Sequence, residues 1–220
     1  MSATRTRSSA SIFAAIRVLS VILAGAIVTL AAQRGSDNPR AILDQAIDDF
    51  LAGRLSASVA GFDRVVALAP QAAPQLWQRG IALYYAGRYQ DCRAQFESHR
   101  TVNPDDVENP AWHFMCVAKA ESPAKARAAL LPVGDDARTP MKEILQMFHG
   151  DLAPERIIPA AGDSPSAQFY AHLYLGLYFE ALGQKAKARE HITAAASERY
   201  AVGGYMHDVA RVHLNLLGKN

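Results

Sequence analysis

The chain has 220 residues, of which 50% are apolar and 20% charged, with a formal net charge of +2. That length allows one folded domain or one short repeat array, and the balance is that of an ordinary globular protein. Three of the 23 basic residues, Arg5, Arg7 and Arg17, precede residue 32, which leaves 20 against 21 acidic ones in the body; with no clustered basic face, nucleic acid is excluded as an expected partner.

Residues 1–17 hold those three arginines, and no acid precedes Asp37. Val18 to Leu30 is apolar apart from Ser20, Gly25 and Thr29, and Ala31, Ala32 and Gln33 follow. A positive start, an apolar middle and small residues at the cut are the order of a secretory signal, with cleavage expected after Ala31 or Ala32. The alternative is an uncleaved anchor: Ile12 to Ala32 is 21 residues, long enough to span a bilayer but interrupted by Arg17. Residues 1–32 are therefore read as signal or anchor, 33–38 as a linker and 39–220 as an exported body. The body is expected to be periplasmic or secreted, meeting a membrane only through the first segment if that stays attached.

The body reads as helix after helix. Asn38-Pro39, Asn109-Pro110, Ser122-Pro123, Thr139-Pro140 and Ser164-Pro165 each place a capping side chain before a proline. That pairing marks a helix start, because the cap accepts a free backbone N–H and proline at the first helical position has none to leave unpaired. Ala73-Pro74 is a weaker start. No segment shows strand alternation bounded by hairpin dipeptides, so the expected class is all-α.

Pro39–Pro70 and Ala73–Pro104 align at a fixed offset of 34 residues. Gly53 meets Gly87 at the turn, Arg54 meets Arg88, Ser58 meets Cys92, Phe62 meets Phe96, and Pro70 meets Pro104. A later copy spans Phe169 to Tyr200, with Leu175-Gly176 in its first helix, Gly183 at the turn, and Ala188, Ile192 and Ala195 in its second. Between them lies a degenerate stretch, 109–161, in which Trp112 to Cys116 looks like a first helix, Pro123 to Leu131 a short second one, and Thr139–His149 and Pro154–Ala161 an uneven pair. Gly204–Leu217 is a single amphipathic helix with Tyr205, Val209, Val212 and Leu216 near one face, fit to cap an array.

A 34-residue helix–turn–helix unit with Gly80, Gly87, Tyr89, Cys92, Phe96 and Pro104 in that order resembles the tetratricopeptide (TPR) family. The resemblance implies a right-handed solenoid of helix pairs, with repeats near 39–70, 73–104 and 169–200 and a C-terminal capping helix at 204–217. An exported array with an irregular middle, a repeat rich in Phe and Tyr (Phe169, Tyr170, Tyr174, Tyr178, Phe179) and a closing helix after Gly203-Gly204 is also similar to bacterial envelope TPR lipoproteins of the NlpI type. It departs from them in lacking a lipid-carrying cysteine. That similarity implies an envelope adaptor for proteases or peptidoglycan hydrolases.

In a TPR unit the small and aromatic residues hold helices together, and function falls to first-helix residues facing the concave side. The implied binding residues are Leu43, Asp44, Ile47 and Phe50; Trp77, Gln78, Ile81, Tyr84 and Tyr85; His113, Phe114 and Val117; and Leu173, Tyr174 and Leu177. The surface is apolar and aromatic, which suits an amphipathic helix or extended apolar segment. Trp77, Tyr84 and Tyr85 are the expected hot spots. The same face could serve a homo-oligomer, and Trp77 could simply pack on its neighbour.

Cys92 and Cys116 are expected as two packed thiols, with a single bridge left open by an oxidising compartment. Ser122 to Lys125 has Ser-x-x-Lys spacing, but Ser122 is explained as a cap and the companion motifs of that enzyme class are absent. His207 and His213 share a helix six residues apart, on different faces and unsuited to a metal pair, and His207-Asp208 reads as solvated or capping. Asp105, Asp106 and Glu108, like Asp135 and Asp136, read as linker acids. The expectation is a binding protein with no cofactor, no metal and no catalysis. The rival readings are a helical-repeat enzyme with a site built from distant residues and a self-associating structural protein.

Overall fold

A computed structural model describes residues 38–218. Residues 1–32, read above as signal or anchor, lie outside the described residues, as does all of the linker but Asn38. The described residues are helical, with no strand among them.

The helices are α1 (Pro39–Leu51), α2 (Leu55–Leu68), α3 (Trp77–Tyr85), α4 (Tyr89–His99), α5 (Glu108–Ala120), α6 (Pro123–Ala128), α7 (Met141–His149), α8 (Ile157–Ala161), α9 (Pro165–Ala181), α10 (Lys185–Ala195) and α11 (Tyr205–Leu217). Short 3-10 turns run over Pro70–Gln75, Pro154–Arg156 and Glu198–Gly203. None of these helices is long and apolar enough to cross a membrane.

Three of the expected proline starts act as caps: Asn38 accepts from the Arg40 N–H, Ser122 from Lys125 and Ser164 from Ala167. Two do not. α5 starts at Glu108, two residues before Pro110, because the Asp106 carboxylate accepts the Glu108 N–H and draws Asn109 into the helix. α7 starts at Met141, after Pro140, with no side-chain cap. The weak Ala73-Pro74 start also falls outside an α-helix: it sits in the 3-10 turn that precedes α3.

The pairs α1/α2, α3/α4 and α9/α10 close in the same way. Gly53, Gly87 and Gly183 take φ of +73°, +76° and +73°, a left-handed conformation that side-chain-bearing residues resist. Each glycine N–H reaches the carbonyl three residues back, and the next N–H reaches five back: Arg54 to Asp49, Arg88 to Leu83, Gln184 to Phe179. This double bond satisfies the last carbonyls of the first helix and turns the chain into the second. In α3/α4 and α9/α10 a small residue then sits under a large one. A Cβ on Gly80 would meet the Phe96 ring at 2.6 Å, and one on Gly176 would meet Ile192 at 2.6 Å.

Between α4 and α5 lies a finding that corrects the expectation of two thiols. Cys92 and Cys116 are joined in a disulfide, with Cα atoms 5.8 Å apart and both residues wholly buried. One small position of α4 faces one small position of α5, so the two sulfurs meet where packing already needed two small side chains.

The array curls until its ends touch. α5 packs on α9, α7 on both, and α11 returns against α10 and α1. One continuous buried cluster results, with Phe50, Phe62, Phe96, Trp112, Phe114, Phe148, Phe169 and Tyr174 among its largest members.

Candidate functional site

The first helices α1 and α3 bring Phe50, Trp77, Tyr84 and Tyr85 together, and α11 lies on that face. Tyr205 of α11 stacks on Phe50 of α1 at 6.3 Å between centroids and meets Trp77 of α3 edge-on at 5.1 Å. Its His213 meets the Tyr85 ring edge-on at 5.5 Å, and the Tyr85 hydroxyl is 2.8 Å from His213 Nδ1. Val209 and Val212 of the same helix are buried and Leu216 half-buried, so the apolar stripe expected for a cap is the stripe that seats it.

A polar latch lies beside these rings. Glu180 of α9 receives Lys119 of α5 at 2.6 Å and His213 of α11 at 2.8 Å, and accepts from the Tyr84 hydroxyl of α3 at 3.2 Å. Four helices thus meet at one carboxylate. Burial works against its charge, but His213 and Lys119 outweigh burial and hold the carboxyl down at about 2. Burial, with the Glu180 charge added, pushes the Tyr84 and Tyr85 hydroxyls up, so both stay neutral donors. A cavity of about 210 Å³ opens among Tyr84, Tyr85, Tyr89, Lys119, Glu180 and His213.

The expected binding residues divide into those the fold brings here and those it does not. Phe50, Trp77, Tyr84 and Tyr85 converge under α11. They do not line an open surface: Phe50 is fully buried, Tyr84 is 4% exposed, and Trp77 and Tyr85 are half-buried. Ile81, Phe114, Val117, Leu173, Tyr174 and Leu177 are core. Phe114 and Tyr174 both pack on Phe148 of α7, because the curl of the array presses α7 and α9 onto α5. His113 is buried and faces Glu97 of α4 at 3.4 Å, away from α11. Leu43, Ile47 and Gln78 are half-buried, and Asp44 is exposed and paired with Arg40. Phe50, Ile81, Tyr84, His113, Phe114 and Tyr174 are thus all buried in this closed arrangement.

Sequence reasoning left out Tyr205 and His213 as binding groups, and Glu180 and Lys119 altogether. Tyr205 was legible as part of an apolar stripe, but the stripe does not say what it covers. Nothing local marks Glu180, which is 96 residues from Tyr84. His207, read as solvated or capping, is 4% exposed and contacts the Ser197 carbonyl just past α10 at 3.0 Å.

A second polar cluster sits at the start of α5. Arg138 reaches Asp106, Glu108 and Asp136, and the Tyr174 hydroxyl donates to Glu108 at 2.6 Å. Asp106 and Asp136 lie between helices and Glu108 opens α5, and together through Arg138 they tie the 128–140 segment to that helix. Among the described residues no group of three or more His, Cys, Asp and Glu is placed to hold a metal ion.

Comparison with models of known protein families finds no match to the chain.

Proposed function

We propose that this chain is an exported adaptor of the tetratricopeptide type, without catalysis of its own, which binds a helical segment of another protein on the face that α11 covers. The observation that carries the reading is the seat of α11. An amphipathic helix with Tyr205, Val209, Val212 and His213 on one side lies on aromatic residues from α1 and α3 and on Glu180 of α9. Helix-in-groove recognition uses anchors of that spacing, so the resident helix displays the chemistry a partner would present.

Several features support the solenoid part of the reading. The 34-residue register, the three equivalent glycine turns and the small-under-large crossings at Gly80 and Gly176 all belong to stacked helix pairs. The export part draws on residues 1–32 and on the Cys92–Cys116 bridge, since disulfides persist in oxidising compartments. Envelope proteases or peptidoglycan hydrolases are the partner class that the NlpI-type resemblance adds.

The test compares the wild-type chain with Tyr205→Ala and Trp77→Ala in capture from extract of its source. Tyr205→Ala weakens the seat of α11 and leaves the receiving face intact, so a true partner should be recovered in greater yield. Trp77→Ala damages the face and should lose it. A captured set indifferent to both changes sinks the reading. Recovery of the chain alone, with mass rising on concentration, transfers the face to self-association.

A further inference from the structure

A cavity of about 170 Å³ lies away from the Glu180 latch, and Trp77, Phe96, Asp106, Glu108, Asn109 and Trp112 are among its lining residues. Two of its lining side chains carry buried polar atoms with no partner: the Trp112 indole Nε1–H and the Asn109 amide Oδ1. Trp112 is 1% and Asn109 3% exposed. Unpaired buried groups of this kind cost about 1–3 kcal/mol each, so a pair of them, one donor and one acceptor beside a single cavity, is a departure from ordinary packing.

The charge around them is also unbalanced. Asp106, Glu108 and Asp136 share the one guanidinium of Arg138, and the Asp106 and Glu108 side chains are only 26% and 15% exposed. Burial, with the Asp106 charge added, pushes the Glu108 carboxyl up against the pull of Tyr174 and Arg138. The apolar wall is aromatic: Phe96 and Trp112 lie stacked at 6.4 Å, 13° apart, and Trp77 lines the cavity as well. Carboxylates beside aromatic faces attract an organic cation. The unpaired acceptor asks for an N–H, and the unpaired donor asks for a ligand oxygen.

We propose that this cavity binds a compact primary ammonium that also carries a hydrogen-bond acceptor, its cation against Asp106, Glu108 and Asn109 Oδ1 and its acceptor on Trp112 Nε1–H. An amino-acid amide has this chemistry, whether free or as the N-terminus of a peptide. The inference does not depend on the adaptor reading, because it concerns the purified chain and a small probe.

Trp77 and Trp112 are the two tryptophans of the sequence and both line the cavity, so intrinsic fluorescence reads it directly. Glycinamide should give a saturable change that weakens as salt is raised. Acetamide, which lacks the cation, should bind at least about tenfold more weakly, a difference of about 1.4 kcal/mol. Asp106→Asn should lose glycinamide by a similar factor. Trp112→Phe should weaken glycinamide but leave ethylamine, which has no acceptor, unchanged, with Trp77 as the remaining reporter. Triglycine amide separates the sources: equal affinity assigns the site to a chain N-terminus, and binding of glycinamide alone assigns it to a free amine. The proposal is overturned if no amine saturates the signal, if acetamide matches glycinamide, or if Asp106→Asn binds as well as wild type. Should a variant fail to fold by circular dichroism, the acetamide and salt comparisons on the wild-type chain decide.

Discussion

Glu180 of α9 ties α3, α5 and α11 to its own helix. Its carboxyl is held at about 2, against an ordinary value of 4.5, by His213 and Lys119 acting against burial. A carboxyl whose folded pKa is depressed contributes stability that is present above the unfolded pKa and is lost as pH falls through the folded one. The window here runs from about 4.5 down to about 2. Wild-type protein should therefore lose melting temperature through that window faster than Glu180→Gln. The gap between the two should be widest near pH 6 and close by pH 2, as thermal denaturation followed by circular dichroism would record. A gap that stays constant with pH would mean that the carboxylate charge does not hold the latch.

At the scale of the element, the pair α3/α4 rests on a glycine under a ring. A Cβ at Gly80 would approach the Phe96 ring at 2.6 Å and Gln95 Cγ at 3.2 Å. Overpacking of this kind costs about 1–3 kcal/mol, and Gly80→Ala should lower the denaturation midpoint accordingly, although alanine is the better helix former. Replacing Phe96 with Leu in the same chain removes the far ring atoms that the new methyl would meet. The double variant should then cost less than the sum of the two single changes, a coupling that denaturant melts can measure. Simple additivity would show that the crossing is not set by this contact. The disulfide belongs to this scale as well, since it fastens α4 to α5 across 24 residues of sequence. Closing a loop of that length removes about 3–4 kcal/mol of unfolded-state entropy. Reduction should destabilise the fold by that order. Denatured, unreduced protein should offer no thiol to an alkylating reagent, and free thiols there would count against the bridge.

Over the whole molecule, the decisive event is closure. α11 contacts α10, to which the chain connects it, and also α1, the first described helix. Tyr205 bridges Phe50 and Trp77, and His213 bridges Tyr85 and Glu180, so one helix fastens both ends of the array. Tyr205→Ala should consequently speed amide exchange first in α11, before the interior of α9, because a docked terminal helix can open without global unfolding. Exchange that quickens uniformly would mean that α11 is part of the cooperative core and is no separable occupant.

The sequence by itself determined the helical class, the 34-residue register, the glycine turns at Gly53, Gly87 and Gly183, and the caps at Asn38, Ser122 and Ser164. All of these are written in residues close together along the chain, where backbone sterics and local hydrogen bonds act. It determined which residues are apolar along α11 but not what they cover. The tertiary structure alone decided that the array curls shut, that Cys92 meets Cys116, that Phe50 and Tyr84 lie beneath α11 and that Glu180 collects partners from three other helices. Periodicity fixes which face of a helix is buried, whereas the partner of that face is chosen by the summed rotations of the helix pairs between, and no short stretch of sequence carries that sum.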